Sequence, residues 1–288
     1  MDKETCNQAH PFHKFSVGCA EVYKRFSHAE LTHKLREFHH VHYRANAMRL
    51  CIISPASLDQ MEKEVLPLYE QISSEPYNPA PIQDPMYKKE QLGQMINIVP
   101  VKDMQSLALS FALPDIHPWY RTKPESIISA MLGDEDEGSL LRYFKQQKWV
   151  THLAAGSGIQ GSNFKDYTVV MQLTNLGIQV IPKIVEAFFY YVQLIKEEGF
   201  PDWRFEERQK LNQFSFEFQE DAKTGNYASH LSIQMHHYPE EHFAFGEYVL
   251  DEFNSDIAQE MLRYISPEYL RLKLVSKNLA ATKATYWY

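Results

Sequence analysis

Residues 35–54 read LREFHHVHYRANAMRLCIIS. Apolar residues recur at helical spacing up to Phe38, and Ser27 with Glu30 three residues later is typical of a capping box. The apolar run at 48–53 that follows the helix predicts a strand. Because a strand must pair its backbone N–H and C=O groups with neighbours, the position of those neighbours decides the fold.

The other end of the chain repeats this arrangement. Residues 270–276, LRLKLVS, align with residues 48–54, MRLCIIS, and a predicted amphipathic helix precedes each segment. The repeat indicates two copies of one domain. The second copy has predicted elements from 94 to 276, whereas the first has only its closing part. We infer that the first domain is truncated; a complete small domain formed by residues 1–90 is the alternative.

The predicted elements define the fold class. Alternating apolar residues predict strands at 94–100, 107–113, 150–156, 167–173 and 269–276. Helical periodicity predicts helices at 123–132, 139–149, 179–198, 203–220, 227–237, 240–253 and 255–265, the last capped by Ser255. This succession predicts an α+β fold in which an antiparallel sheet is covered by helices on one face. A proline-rich linker at 76–94 divides the chain into domains at 1–75 and 95–288.

Composition excludes several classes of protein. The 288 residues are 44% hydrophobic, and the net charge of −8 includes no Lys/Arg cluster typical of a nucleic-acid site. No apolar run approaches the ~20 residues that a membrane span needs. Three cysteines at unrelated spacings argue against a disulfide framework, so we expect a cytoplasmic protein, with a periplasmic location as the alternative for part of a longer exported protein.

Histidines are the first candidates for metal binding. His39 and His42 lie three positions apart on one predicted helix, a spacing that suits two metal ligands as well as a packed histidine pair. Residues 238–242 superficially resemble the zinc motif H-x-x-E-H, but Tyr238 replaces the first histidine and Pro239 interrupts the helix. We therefore predict no metal ligand and no catalytic residue in this chain.

An acidic turn precedes a predicted edge strand. Residues 134–137 are all acidic, and residues 153–156 lie in the strand that follows the next helix. Such a turn is either a solvated loop or a group of carboxylates that attracts a positive charge. In the second interpretation, the free backbone of the strand takes up an extended peptide as an additional strand.

Several stretches match the pattern of one protein family in unbroken order over the chain. They are 10–15 (HPFHKF), 38–48, 98–103 (IVPVKD), 138–141 (GSLL), 211–212, 236–239, 247–253, 275–277 and 286–288 (YWY). Together they resemble the insulysin/pitrilysin (insulinase) family of zinc metallopeptidases. The resemblance implies four homologous α+β domains that close as two halves around a peptide. It places 1–75 at the end of the first, catalytic domain and 95–288 in most of the second.

The same resemblance implies where zinc and substrate would bind. The family's H-x-x-E-H helix and distal glutamate ligand both precede the position matching His10, so this chain is expected to carry no zinc cofactor and to be inactive alone. The family's substrate-binding exosite corresponds to six positions here: Gly133, Asp134, Leu153, Ala154, Ala155 and Gly156. Asp134, Asp136, Glu137 and Ala155 depart from the insulysin pattern, which predicts a different peptide preference, biased to free N-termini or basic residues.

The sequence therefore supports two main hypotheses of function. The first is a fragment or subunit of an insulysin/pitrilysin-type metalloendopeptidase that binds peptide substrate and is completed by a separate chain carrying the zinc site. The second is a stand-alone, non-catalytic peptide-binding or assembly protein that uses the exposed edge strand. An enzyme of another kind that uses His39 and His42 is a third.

Overall fold

A computed structural model describes residues 2–14, 16, 18, 20–220, 222–280 and 282. Cys19 and the YWY motif at 286–288 lie outside the described residues. The chain divides into two compact units. Of the described residues, the first unit, here called the sheet unit, contains 2–14, 82–215, 249–280 and 282; the second, the helical unit, contains 16, 18, 20–81, 216–220 and 222–248.

The sheet unit is built on one open sheet. Within the described residues its five strands are β1 (Gln94–Ile98), β2 (Ser106–Leu113), β3 (Val150–Gln160), β4 (Lys165–Leu173) and β5 (Arg271–Val275), in the order β1-β5-β2-β4-β3. All neighbouring strands are antiparallel except β1 and β5, which are parallel. The predicted α+β fold class is confirmed, with one parallel pair in a sheet predicted to be antiparallel.

The helices are α1 (Asp2–Thr5), α2 (Ala20–Tyr23), α3 (His28–His42), α4 (Leu58–Tyr69), α5 (Pro124–Leu132), α6 (Leu140–Gln146), α7 (Asn175–Gln179), α8 (Ile181–Glu198), α9 (Asp202–Glu217), α10 (Thr224–Gln234) and α11 (Ser255–Tyr264). Short 3-10 turns lie at Pro11–His13, Ala45–Ala47, Lys89–Gln91, His117–Trp119 and Pro267–Tyr269.

The predicted capping box at Ser27 and Glu30 is confirmed. The predicted cap at Ser255 is one residue late, because the Asn254 side chain accepts from the first turn of α11. None of these helices, within the described ranges, is long and apolar enough to cross a bilayer.

The core of the sheet unit lies between the sheet and helices α5, α6, α8 and α11. Because side chains alternate along a strand, every second residue of β2 and β4 faces this layer. The core-facing residues of β2 and β4 are almost completely buried and lie opposite buried residues of α8. Those of the two strands are Leu107, Leu109, Phe111, Tyr167, Val169 and Met171, and those of α8 are Ile184, Phe188 and Val192. The other face of the sheet is only partly covered, and Val170 of β4 is exposed there.

The prediction of a strand at 48–53 is wrong. The segment is extended but belongs to no sheet, whereas the matching segment at the other end of the chain forms β5. Its residues Leu50, Ile52 and Ile53 are exposed. The physical reason is that a ladder requires a partner strand, and the described part of the helical unit supplies none.

The helix predicted at 240–253 is also wrong. Residues 240–248 form successive turns, and 249–254 are irregular. Here Gly246 lies against the Tyr238 ring, since a Cβ added to Gly246 would come within 2.4 Å of that ring. The close approach holds the segment in a folded turn, and Pro239 stops α10 from continuing into it.

A buried arginine ties the first residues of the chain to the sheet unit. Arg271 of β5 is fully buried, and its guanidinium donates to the carbonyl oxygens of Thr5 at 3.2 Å and Gln91 at 2.9 Å. The same group lies 4.1 Å from the centre of the Tyr87 ring. Next to it, Lys273 donates to Asp2 at 2.9 Å. Together these contacts hold residues 2–14 against the face of the sheet opposite the helices.

We predict that Arg271→Ala lowers the free energy of unfolding by about 3 kcal/mol, because it removes a buried cation and leaves buried carbonyl groups without donors. Urea unfolding measures the loss, and limited proteolysis should show earlier cleavage within 2–14. Arg263→Ala, which removes an exposed arginine from α11, serves as the control and should change stability by less than about 0.5 kcal/mol. Equal effects of the two substitutions would contradict this role.

Candidate functional site

Strand β3 forms one edge of the sheet. It pairs only with β4, with Leu153 opposite Met171 and Gly156 opposite Thr168, so among the described residues its other edge has no partner strand. This confirms the predicted edge strand. On such a strand, alternate N–H and C=O groups point away from the neighbouring strand and are available to an extended peptide.

The predicted site residues on β3 divide between two faces. Leu153 is buried and Ala155 packs against the core, so their side chains belong to the helix-covered face. Ala154 is exposed on the opposite face, which it shares with Gly156. A peptide along this edge would therefore contact the β3 backbone and the open face, not the side chain of Leu153.

The acidic turn joins two helices that both pack against β3. Helix α5 ends at Leu132 and is followed by its C-cap Gly133, whose N–H donates to the Ser129 carbonyl at 2.9 Å. Helix α6 begins after Ser139, whose hydroxyl accepts from the Arg142 N–H at 3.1 Å. Because α5 and α6 both contact β3, the two parts of the predicted site, the turn and the strand, are carried by neighbouring elements.

The four carboxylates of the turn have different environments. Asp134 forms an ion pair with Arg204 of α9 and accepts from the Asp136 N–H at 2.9 Å. Burial disfavours the ionised form of Asp134, but these donors outweigh burial and hold the pKa of its carboxyl below the ordinary value. Glu135 pairs with Lys145 at 3.2 Å.

The remaining two carboxylates, Asp136 and Glu137, are exposed and form no ion pair within the described part of the chain. They are the ones available to a positive group. Sequence reasoning missed the pairing of Asp134 because Arg204 lies 70 residues away and no local pattern links the two.

An aromatic pocket of about 540 Å³ lies beside this turn. It is walled by α6 and α8, and its lining residues include Gly138, Leu140, Tyr143, Trp149, Tyr190 and Tyr191. Tyr191 donates to the Met131 carbonyl at 3.4 Å, and burial raises the pKa of its phenol. The pocket suits apolar or aromatic groups.

The histidines do not converge on a metal site. His39 stacks on Tyr43 with ring centres 4.5 Å apart, and His42 Nδ1 lies 2.9 Å from the Tyr77 hydroxyl. The described residues contain no group of three His, Cys, Asp or Glu side chains placed to hold a metal ion. The described residues therefore supply no set of zinc ligands, and we derive no chemical step through zinc.

Comparison with solved structures defines the fold class. The chain superposes on pitrilysin with a TM-score of 0.91 at 24% identity, over 99% of this chain and 31% of that one. The fold is thus that of pitrilysin-like domains.

Two family models then identify the family. A model of the peptidase M16 inactive domain matches residues 32–212, and a model of the middle or third domain of peptidase M16 matches residues 216–288. The chain belongs to the peptidase M16 family, as the resemblance predicted.

Curated relatives agree with this assignment. The chain is 29% identical to insulin-degrading enzyme of Homo sapiens over all of its own length and 29% of that protein. It is 30% identical to nardilysin of Rattus norvegicus over 93% of its length and 24% of that protein. The chain thus spans less than a third of the length of the relatives it matches.

We predict that Arg204→Gln lowers the free energy of unfolding at neutral pH by about 1 kcal/mol, the scale of a partly exposed ion pair. Because the pKa of Asp134 is lowered in the folded state, the pair is complete above the ordinary aspartate pKa and is lost as the pH falls through the lowered value. The difference between variant and wild type should therefore shrink in acid, measured by urea unfolding across pH. Arg142→Gln, at an exposed arginine of α6, is the control, and a difference that does not vary with pH would contradict the prediction.

Proposed function

We propose that this chain binds an extended peptide along the free edge of β3. The observation that carries the proposal is the position of β3 at the edge of an open sheet. Among the described residues its backbone has no partner strand on one side, and Leu153 is anchored in the core. A rigid edge of this kind offers main-chain hydrogen bonds without first having to be ordered. Membership of a peptidase family supports a peptide as the ligand.

The acidic turn gives this binding a preference for positive charge. Asp136 and Glu137 are exposed and carry no internal counter-ion within the described chain, whereas Asp134 and Glu135 are already paired. A protonated peptide N terminus or a basic residue near the turn therefore gains attraction that the protein's own cations do not cancel. This attraction is screened by salt because the two carboxylates are exposed.

We further propose that the helical unit packs against another polypeptide. Neither α3 nor α4 contains a buried residue, and Leu35 and Phe38 are both more than half exposed. The unpaired segment 48–53 adds further exposed apolar side chains. Apolar surface of this extent is typical of an interface.

In this proposal the other polypeptide carries the H-x-x-E-H zinc site of an M16 peptidase. This chain contributes substrate binding and does not hydrolyse peptides alone, since its described residues offer no set of metal ligands. The competing function, a stand-alone peptide-binding protein, uses the same β3 edge but has no need of the exposed surface of α3 and α4.

Backbone N-methylation of the ligand tests the β3 edge. We predict that a fluorescent peptide as long as β3 loses affinity about tenfold or more when alternate amides that face β3 are methylated, because main-chain hydrogen bonds carry strand addition. Methylation of the intervening amides is the matched control and should have little effect. Fluorescence anisotropy measures both.

Acetylation of the peptide N terminus separates the contribution of the turn. It should weaken binding several-fold at low salt and less at high salt, and Asp136→Asn with Glu137→Gln should remove this difference. Equal loss from both methylation patterns would argue against strand addition, while salt-independent binding unaffected by acetylation would argue against the role of the turn.

Co-expression tests the second part of the proposal. With an M16 polypeptide that carries H-x-x-E-H, we expect a stable complex with chelator-sensitive peptidase activity. The double substitution Leu35→Asp with Phe38→Asp should abolish the complex, because it places charges on the exposed apolar stripe. His33→Asp, at an exposed position away from that stripe on α3, should leave the complex intact. Peptide binding without any complex or activity would favour the stand-alone protein.

A further inference from the structure

Asp166 of β4 projects from the face of the sheet opposite the helix-covered core, the face against which residues 2–14 also lie. Its neighbour Tyr167 is fully buried on the helix-covered face, so alternation places Asp166 and Thr168 on the other. The Thr168 hydroxyl donates to Asp166 Oδ2 at 3.3 Å and lies 3.1 Å from the Ser110 hydroxyl. These contacts fix the direction of the carboxylate.

The carboxylate lies beside the edge strand at Gly158, a position without a side chain. A Cβ added to Gly158 would stand 2.9 Å from Asp166 Oδ2, so a side chain there would require the carboxylate to move. A Cβ added to Gly156 would meet nothing within 4 Å. Gly156 and Gly158 thus leave an open slot that leads from Asp166 to the free edge of β3.

Asp166 forms no direct ion pair among the described residues, although two lysines lie near it. Lys273 directs its ammonium to Asp2 at 2.9 Å, and Lys165 donates to the Gln160 side chain at 3.1 Å. Burial raises the pKa of the Asp166 carboxyl and outweighs the attraction of Lys273 and Lys165, so these cations do not fully offset the cost of a charge there.

We propose that Asp166 binds the side chain of a lysine or arginine in a peptide added at the β3 edge, which makes it a residue that determines specificity. The inference rests on the peptide-binding function proposed above. An added strand lies about 4.8 Å from β3, and a residue opposite Gly156 or Gly158 that points to the open face directs its side chain across the slot. The flexible four-carbon stem of lysine spans that gap and brings its charge to the carboxylate.

The experiment uses a series of otherwise identical fluorescent peptides as long as β3, in which one lysine is moved position by position and compared with uncharged norleucine of similar shape. The unmodified chain should prefer lysine by about tenfold at a single position on the open face. Asp166→Asn should remove that preference and leave the affinity for the norleucine peptide unchanged. Asp256→Asn, the same chemical change at an exposed position of α11 that has no part in the proposed binding, should leave the positional preference in place.

The outcomes separate the two proposals. If no peptide of the series binds, the proposed function fails. If the peptides bind but lysine and norleucine are equivalent at every position, the β3 edge binds peptides and the role of Asp166 is overturned. Preference retained in Asp166→Asn also overturns it and assigns Asp166 to the network with Thr168. Because the lysine scan is made first on the unmodified chain, it tests the role of Asp166 even if the variant does not fold.

Discussion

Backbone pairing of the central strand β2 is the constraint on which this structure depends. β2 alone joins the hairpin of β3 and β4 to the parallel pair of β5 and β1, and its side chains supply the centre of the core. Every other strand is fixed relative to it by a ladder of hydrogen bonds. The same constraint leaves β3 with one free edge, since an open sheet must end somewhere. Core formation and the candidate binding edge are therefore two results of one arrangement.

Sequence patterns predicted those parts of the fold in which local periodicity and burial coincide. Strict alternation at 107–113 and 167–173 located β2 and β4, and helical periodicity at 179–198 located α8. The segment 48–53 has the same local signal but no ladder, because pairing is a property of the surroundings and not of the segment. The turn at 240–248 depends on the contact of Gly246 with Tyr238, which no periodicity encodes.

In the candidate site, too, local patterns could be predicted from the sequence, whereas contacts between distant residues could not. Alternation and the order of elements identified β3 as an edge strand, and the resemblance to peptidases selected Gly133 and the residues at 153–156. The partners and neighbours of the charged side chains could not be predicted from the sequence, because they depend on contacts between distant residues. Arg204 of α9 pairs with Asp134, and the Asp166 carboxylate lies beside Gly158 of the neighbouring strand.

The contact between Arg271 and Thr5 constrains the order in which the sheet unit is assembled. Thr5 and Arg271 are separated by 266 positions, so this contact cannot form until β5 has been synthesised. Contacts of such sequence separation close slowly, because the entropy of the long loop is lost before they form. Pairing of β5 with β2 is thus also the event that brings Arg271 to Thr5.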